Sequence, residues 1–391
     1  MSLAQSILNL APVEARLKDP IRLLLAKRQA QKHAFDLDQF DILSNIFETA
    51  GLRPPVATQD PDHLTIFDKI ANEALMGSEI KAVDIKDPLR AMDQARQNNM
   101  ASAHNRVPVS TSDGTLLSVI HGGENTGQRT LFFGAPGTPA ELNNGWLKAF
   151  AEQGEIITWE MRGLFGEDFQ GVENLGLDAQ LGDVETVMDF MNWPQSHVMG
   201  ICGGAVLALA YAAAYPSRVS SLSLWFGDYE LGELAPKTDH QHNLKSLMKM
   251  VHDGQVAPED MHNILLSAMN KFSRPDIAPM VLYPFASPAL LSQYCRMNYA
   301  IMDTDCGPLS ENTNIPCSVF YSPHDETTHP EGSKVIAERL GASLEVLDVP
   351  GHMDILQGSE KNVAKVIEFQ KSASSLDFAS SLNFSSAFKG A

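Results

Sequence analysis

From about Arg106 to Lys371 the chain alternates short apolar runs with amphipathic stretches, and this alternation most limits what it can fold into. The runs TLFFG, EIITWEMRG, SHVMG, VSSLSLWFG, CSVFYS and SLEVLDVPG have the length and β-branched or aromatic content of strands. Between most of them lie segments with helical spacing: WLKAFAEQG, LDAQLGDVETVMDFM, AVLALAYAAAY and SKVIAERLG. Such a succession predicts an α/β fold, a mostly parallel sheet covered by helices on both faces. Ahead of it, VPVSTSDGTLLSVIH reads as a hairpin turning at Asp113-Gly114.

The alternation is interrupted twice. Residues 1–104 contain IRLLLAKRQAQ, LDQFDILSNIFETAG and HLTIFDKIANEAL, all with apolar residues three and four apart, and are expected to form a helical N-terminal module. Such a module packs as an accessory domain, or else shapes the substrate pocket or a homodimer contact. Residues 229–312, rich in Met and Leu, are expected to form a helical cap inserted into the core, since long structured insertions are usually functional. The core then comprises 105–228 and 313–371. The Ser-rich remainder, 372–391, is expected to be disordered, although Phe378, Phe384 and Phe388 could dock on the body.

The net charge of −19 and the absence of a basic stripe argue against nucleic acid and anionic membrane surfaces as partners. The four cysteines, Cys202, Cys295, Cys306 and Cys317, form no CxxC pair and have no zinc-like His spacing, so neither a metal nor another cofactor is expected. The first residues lack a basic segment followed by an apolar run, and no stretch of about 18 apolar residues occurs. The expectation is a soluble, cytoplasmic protein with reduced thiols.

The chemistry concentrates at HVMGICGGAVLALAYAAAYP. An apolar strand ends in Gly200-Ile201-Cys202-Gly203-Gly204 and a small-residue helix follows at once, the context of a nucleophile on a strained strand-to-helix bend. Glycine on either side lets strand and helix pass closely. The positive end of the helix is aimed at the sulfur and favours thiolate. A bland alternative is a small buried thiol. Upstream, TLFFGAPGTP places Gly134-Ala135-Pro136-Gly137 after a strand, which by itself reads as a Gly/Pro turn. Asp325, in VFYSPHDETTHP, and His352, in VLDVPGHMDIL, each follow a strand and supply an acid and a base. His324, His329 and Asp354 lie beside them as competitors.

Taken in order, these motifs resemble the α/β-hydrolase superfamily over residues 106–371, the cap excluded. Gly134–Gly137 is similar to its H-G-x-P-G loop, with Phe133 in place of His, and Glu160-Met161-Arg162-Gly163 with Gly166 looks like its D-x-R-G-x-G segment. The resemblance implies a Cys202–His352–Asp325 triad in nucleophile, acid, histidine order, with Ala135 and Gly203 as the oxyanion hole. Cysteine nucleophiles in the superfamily occur in dienelactone hydrolases, polyhydroxyalkanoate synthases and some thioesterases. The helical module ahead of a capped core is also similar to polyketide-shortening hydrolases. The implied activity is acyl transfer or hydrolysis of a small acyl or ketone substrate in secondary metabolism, carried as a thioester on CoA or a carrier protein. Retro-Claisen cleavage of a β-diketone is the alternative, and a non-catalytic binding protein on the same scaffold is the alternative of another class.

Overall fold

A computed structural model describes all residues except 28–33, 102–104, 167–168, 269–273 and 388–391; beyond Ala373 only the course of the backbone is described. The N-terminal module contains α1 (Leu3–Glu14), β1 (Arg22–Leu24), α2 (Leu37–Ala50), β2 (Val56–Thr58), α3 (Ile66–Met76), α4 (Ala82–Lys86) and α5 (Pro88–Gln97). Helices α2 and α3 begin with capping boxes, Asp36 with Gln39 and Thr65 with Asp68, which satisfy amides that the first turn leaves open. The module is not wholly helical as the periodicity predicts. Arg22–Leu24, inside the apolar run IRLLL, is a strand paired in parallel with Val56–Thr58. A short apolar run next to Pro20 does not distinguish helix from buried strand, and here tertiary pairing decides. Of the longer segment IRLLLAKRQAQ, residues 28–31 lie outside the described residues.

The core carries β3 (Arg106–Ser110), β4 (Leu116–Gly122), β5 (Arg129–Phe133), α6 (Asn144–Ala151), β6 (Glu155–Glu160), α7 (Leu177–Phe190), β7 (Ser196–Ile201), α8 (Gly203–Ala214) and β8 (Val219–Trp225). The cap follows with α9 (Asp239–His252), α10 (Pro258–Ala268), α11 (Ala278–Val281), α12 (Pro288–Met302) and α13 (Cys306–Glu311). The core resumes with β9 (Cys317–Tyr321), α14 (Pro330–Leu340), β10 (Ser343–Val346) and α15 (Glu360–Ala387). The eight-stranded sheet has the order β10-β9-β8-β7-β5-β6-β4-β3. From β10 to β6 neighbouring strands are parallel, whereas β4 runs antiparallel to both β6 and β3.

This order creates the place where a site can form. The chain steps from β5 outward to β6, then returns to lay β7 on the other side of β5. Loops leaving β5 and β7 therefore part at a switch point, and a crevice opens at the strands' carboxyl ends. The strand β7 is buried along its whole length.

The Ser-rich tail also departs from expectation. No Gly or Pro occurs between Glu360 and Phe388, so nothing in the sequence stops α15, and the helix continues to Ala387 where composition predicts disorder. Whether Phe378 and Phe384 dock concerns side chains outside the described residues, as does all of Phe388.

Candidate active site

Cys202 occupies the bend between β7 and α8, with φ 55° and ψ −131°. A non-glycine residue in that region stores strain of order 1–3 kcal/mol, held by its surroundings. The holding contacts are visible. The Cys202 amide donates to the Trp225 carbonyl at 3.0 Å, and the Cys202 carbonyl accepts from Ala205 at 3.0 Å. The flanking glycines are required sterically: a Cβ on Gly200 would sit 2.3 Å from the Gly204 oxygen, and one on Gly204 would sit 2.4 Å from the Gly134 oxygen. The thiol is half-buried, whereas Cys295, Cys306 and Cys317 are buried, and all four are free.

His352 opens a 3-10 turn after β10 and is buried. Its Nδ1 lies 2.9 Å from Asp325 Oδ2, and its ring meets Phe226 edge to face, centroids 5.9 Å apart. Asp325, buried in the loop after β9, is saturated. Its Oδ1 accepts the amides of Thr327 at 2.8 Å and Thr328 at 3.0 Å; its Oδ2 also accepts the Thr328 hydroxyl at 2.8 Å. Burial pushes this carboxyl up, but the His352 and Thr328 donors outweigh it and hold it below the usual range. A carboxylate so placed fixes Nδ1 as a protonated nitrogen and leaves Nε2 for proton exchange. Nε2 makes no well-formed hydrogen bond among the described residues. Burial lowers the imidazole pKa; the nearby Cys202 sulfur and the Asp325 carboxylate prevail and raise it to about 10.

The Gly134–Gly137 loop closes the other side. A Cβ on Gly203 would meet Pro136 at 2.7 Å, so the loop lies directly against the start of α8. Among the described residues, neither the Ala135 nor the Gly203 amide has an acceptor. The five residues singled out by sequence thus come from four separate segments into one neighbourhood. The competitors do not join them. His324 is exposed and 3.9 Å from Asp348, His329 caps α14 by accepting from Glu331, and Asp354 pairs with Arg274 at 3.3 Å. Arg162 is buried and holds Asp183 at 2.8 and 2.6 Å and Asp113 at 2.8 Å, a structural role.

Sequence reasoning missed the cap's contribution. Tyr294 and Asn298, one turn apart on α12, are buried over the loop and the bend. The Tyr294 ring packs on Gly137, and Asn298 Oδ1 would lie 3.6 Å from a Cβ on Gly203. Asp228, just beyond β8, accepts from Gln241 Nε2 at 2.6 Å. One signal for the first pair was present: Asn298 is a polar residue on the apolar stripe of Leu290, Leu291, Tyr294 and Ile301. A cavity of about 830 Å3 opens between β3, β4 and β6, lined by Arg106, Asp113, Glu160, Arg162, Phe165 and Phe169, and does not include Cys202. Among the described residues no group of three or more His, Cys, Asp or Glu side chains is placed to hold a metal ion. No described helix is long and apolar enough to cross a membrane.

The sheet order, the bend bearing Cys202 and the acid and base loops define the α/β-hydrolase fold, and comparisons with known proteins agree. No protein-family profile matches the chain. Human monoacylglycerol lipase ABHD6 is 23% identical over 238 residues, which cover 57% of this chain and 69% of the lipase. An esterase from Thermogutta terrifontis superposes with TM-score 0.55 at 16% identity, covering 68% of this chain and 98% of its own. The enol-lactonase from Burkholderia xenovorans LB400 superposes with TM-score 0.50 at 18% identity, covering 70% of this chain and 100% of its own.

Proposed function

We propose that the protein is an acyl-transfer hydrolase that works through a covalent acyl-enzyme on Cys202. One observation carries the reading: the thiol at a strained bend shares its neighbourhood with a buried imidazole whose Nδ1 is fixed 2.9 Å from a saturated carboxylate. In the proposed mechanism the sulfur attacks a substrate carbonyl and the C=O electron pair moves to oxygen. The amides of Ala135 and Gly203 receive that oxyanion; losing one such donor costs about 3 kcal/mol of barrier in comparable sites. His352, carrying the proton taken from sulfur, returns it to the leaving group, and the acyl group then passes to water or another nucleophile. Thioesters are the favoured substrate class, because sulfur attacks and sulfur leaves with similar basicity. The names of the similar proteins, a lipase, an esterase and an enol-lactonase, support carbonyl chemistry in general.

The test is brief alkylation with iodoacetamide followed by peptide mapping, alongside incubation with a panel of acyl thioesters and β-diketones. Cys202 is expected to label before the three buried cysteines, and a thioester to leave an acyl mass on Cys202 with release of free thiol. Two shortened carbon products from a diketone would favour retro-Claisen cleavage instead. Labelling of Cys295, Cys306 or Cys317 ahead of Cys202, with no acyl mass from any donor, would leave a binding protein on the same scaffold. Cys202→Ala is expected to abolish the adduct.

A further inference from the structure

The roof of the site contributes a polar group that the triad does not use. Helix α12 passes over both free amides: Tyr294 packs against Gly137, in the same loop as Ala135, and Asn298, one turn on, lies beside Gly203. The Asn298 side-chain amide donates to the Tyr294 hydroxyl at 3.3 Å and contacts Met248 sulfur at 3.3 Å. The Tyr294 oxygen is thereby used as an acceptor, while its own O–H has no acceptor among the described residues. A buried donor left without a partner is costly, of order 1–3 kcal/mol, unless a ligand completes it. Burial pushes the phenol up, and the charge of Cys202, then of Cys295 and Asp228, adds to this. The hydroxyl therefore keeps its proton, and its ring lies against the loop that bears the Ala135 amide.

We propose that Tyr294, oriented by Asn298, supplies a third hydrogen bond to the oxyanion formed when Cys202 attacks a carbonyl. The proposal rests on the acyl-transfer reading above. The phenol donates without transferring its proton: the carbonyl π pair moves to oxygen as the C–S bond forms, and the thiol proton resides on His352. Tyr294 is then a catalytic residue on the cap, and Asn298 a positioning residue. The arrangement makes oxyanion stabilisation depend on the cap being seated, so binding and chemistry are coupled.

The experiment compares wild type with Tyr294→Phe, which keeps the ring packing. A trifluoromethyl ketone, whose adduct with Cys202 bears an oxyanion, reports on stabilisation; iodoacetamide, whose reaction forms none, reports on the thiol alone. Tyr294→Phe is expected to bind the ketone at least tenfold more weakly and to lower kcat on a thioester about 100-fold, with KM and the iodoacetamide rate at Cys202 within twofold of wild type. Asn298→Leu is expected to shift ketone affinity in the same direction by less. Ketone affinity within twofold of wild type in Tyr294→Phe overturns the assignment. So does an equal fall in both reagents, which marks the ring as packing only. Failure of the wild type to form any ketone adduct strikes instead at the acyl-transfer reading, and the role of Tyr294 falls with it.

Discussion

The protonation of His352 sets the expected pH response. Its imidazole is raised to about 10 against the cost of burial, chiefly by the charge of Cys202 and the Asp325 hydrogen bond. A raised value means the ring holds its proton until the pH passes about 10. The imidazolium is then the form able to protonate a leaving group, and alkali removes that proton. The expected profile of kcat/KM for thioester hydrolysis holds level through pH 8–9 and falls above about 10. Asp325→Asn removes a negative partner and a hydrogen bond that favour the imidazolium, so the alkaline limb moves to lower pH, while the maximum falls. A neutral base waiting to take a proton would give the opposite slope, with activity rising as the imidazole deprotonates. Titrating initial rates between pH 6 and 11 for both proteins distinguishes the two.

Among the elements, the approach of α8 to the end of β5 tolerates no added atom. A Cβ on Gly204 would come 2.4 Å from the Gly134 oxygen and 2.6 Å from the Phe133 oxygen. Both are backbone atoms that cannot rotate aside. Gly204→Ala is expected to destabilise the protein by about 1–3 kcal/mol and to lose Cys202 reactivity, read from urea midpoints and alkylation rates. Gly182→Ala is the contrast: it lies exposed in α7 with nothing within 4 Å of the added carbon, so it is expected to raise stability by about 0.5–1 kcal/mol. The same elements show what the sequence could convey. Local signals sufficed for every core strand, because each buried strand reads as an apolar run and each flanking helix as a period of 3.6. The bend at Cys202 was legible because glycines at fixed offsets have one steric reason. The strand at Arg22–Leu24 was not, since its pairing with Val56–Thr58 is a tertiary choice. Nor was Tyr294, whose approach to Gly137 depends on how the cap lies over the core rather than on local pattern.

Across the whole molecule, the N-terminal module is tied to the cap as well as to the sheet. Arg16, just past α1, donates to the Tyr283 hydroxyl at 3.1 Å and to the Gly166 carbonyl at 2.6 Å, and lies 4.8 Å over the Phe169 ring. Tyr283 in turn donates to the Leu164 carbonyl at 2.7 Å and stacks on Phe165. Val13, Phe67 and Ile70 of the module belong to the same buried cluster as Leu282 and Leu290 of the cap. Arg16→Ala removes charge-assisted hydrogen bonds and is expected to cost about 1–3 kcal/mol, measured by urea unfolding. If the module steadies the roof, the same change raises KM for a thioester more than it lowers the iodoacetamide rate at Cys202.

The neck of the cap has a consequence of its own. Glu230 and Asp305 form a parallel bridge, with the Cys306 amide donating to the Glu230 carbonyl at 2.9 Å, and Lys237 and Lys245 both clasp the Glu230 carboxylate at 2.6 Å. The two ends of a stretch of more than seventy residues therefore leave and rejoin the body at one point, between adjacent strands. Whatever lies beyond that socket can be lengthened, shortened or exchanged without shifting the register of the sheet beneath it. The bend at Cys202 and the loop of His352 can thus stay fixed while the roof above them changes.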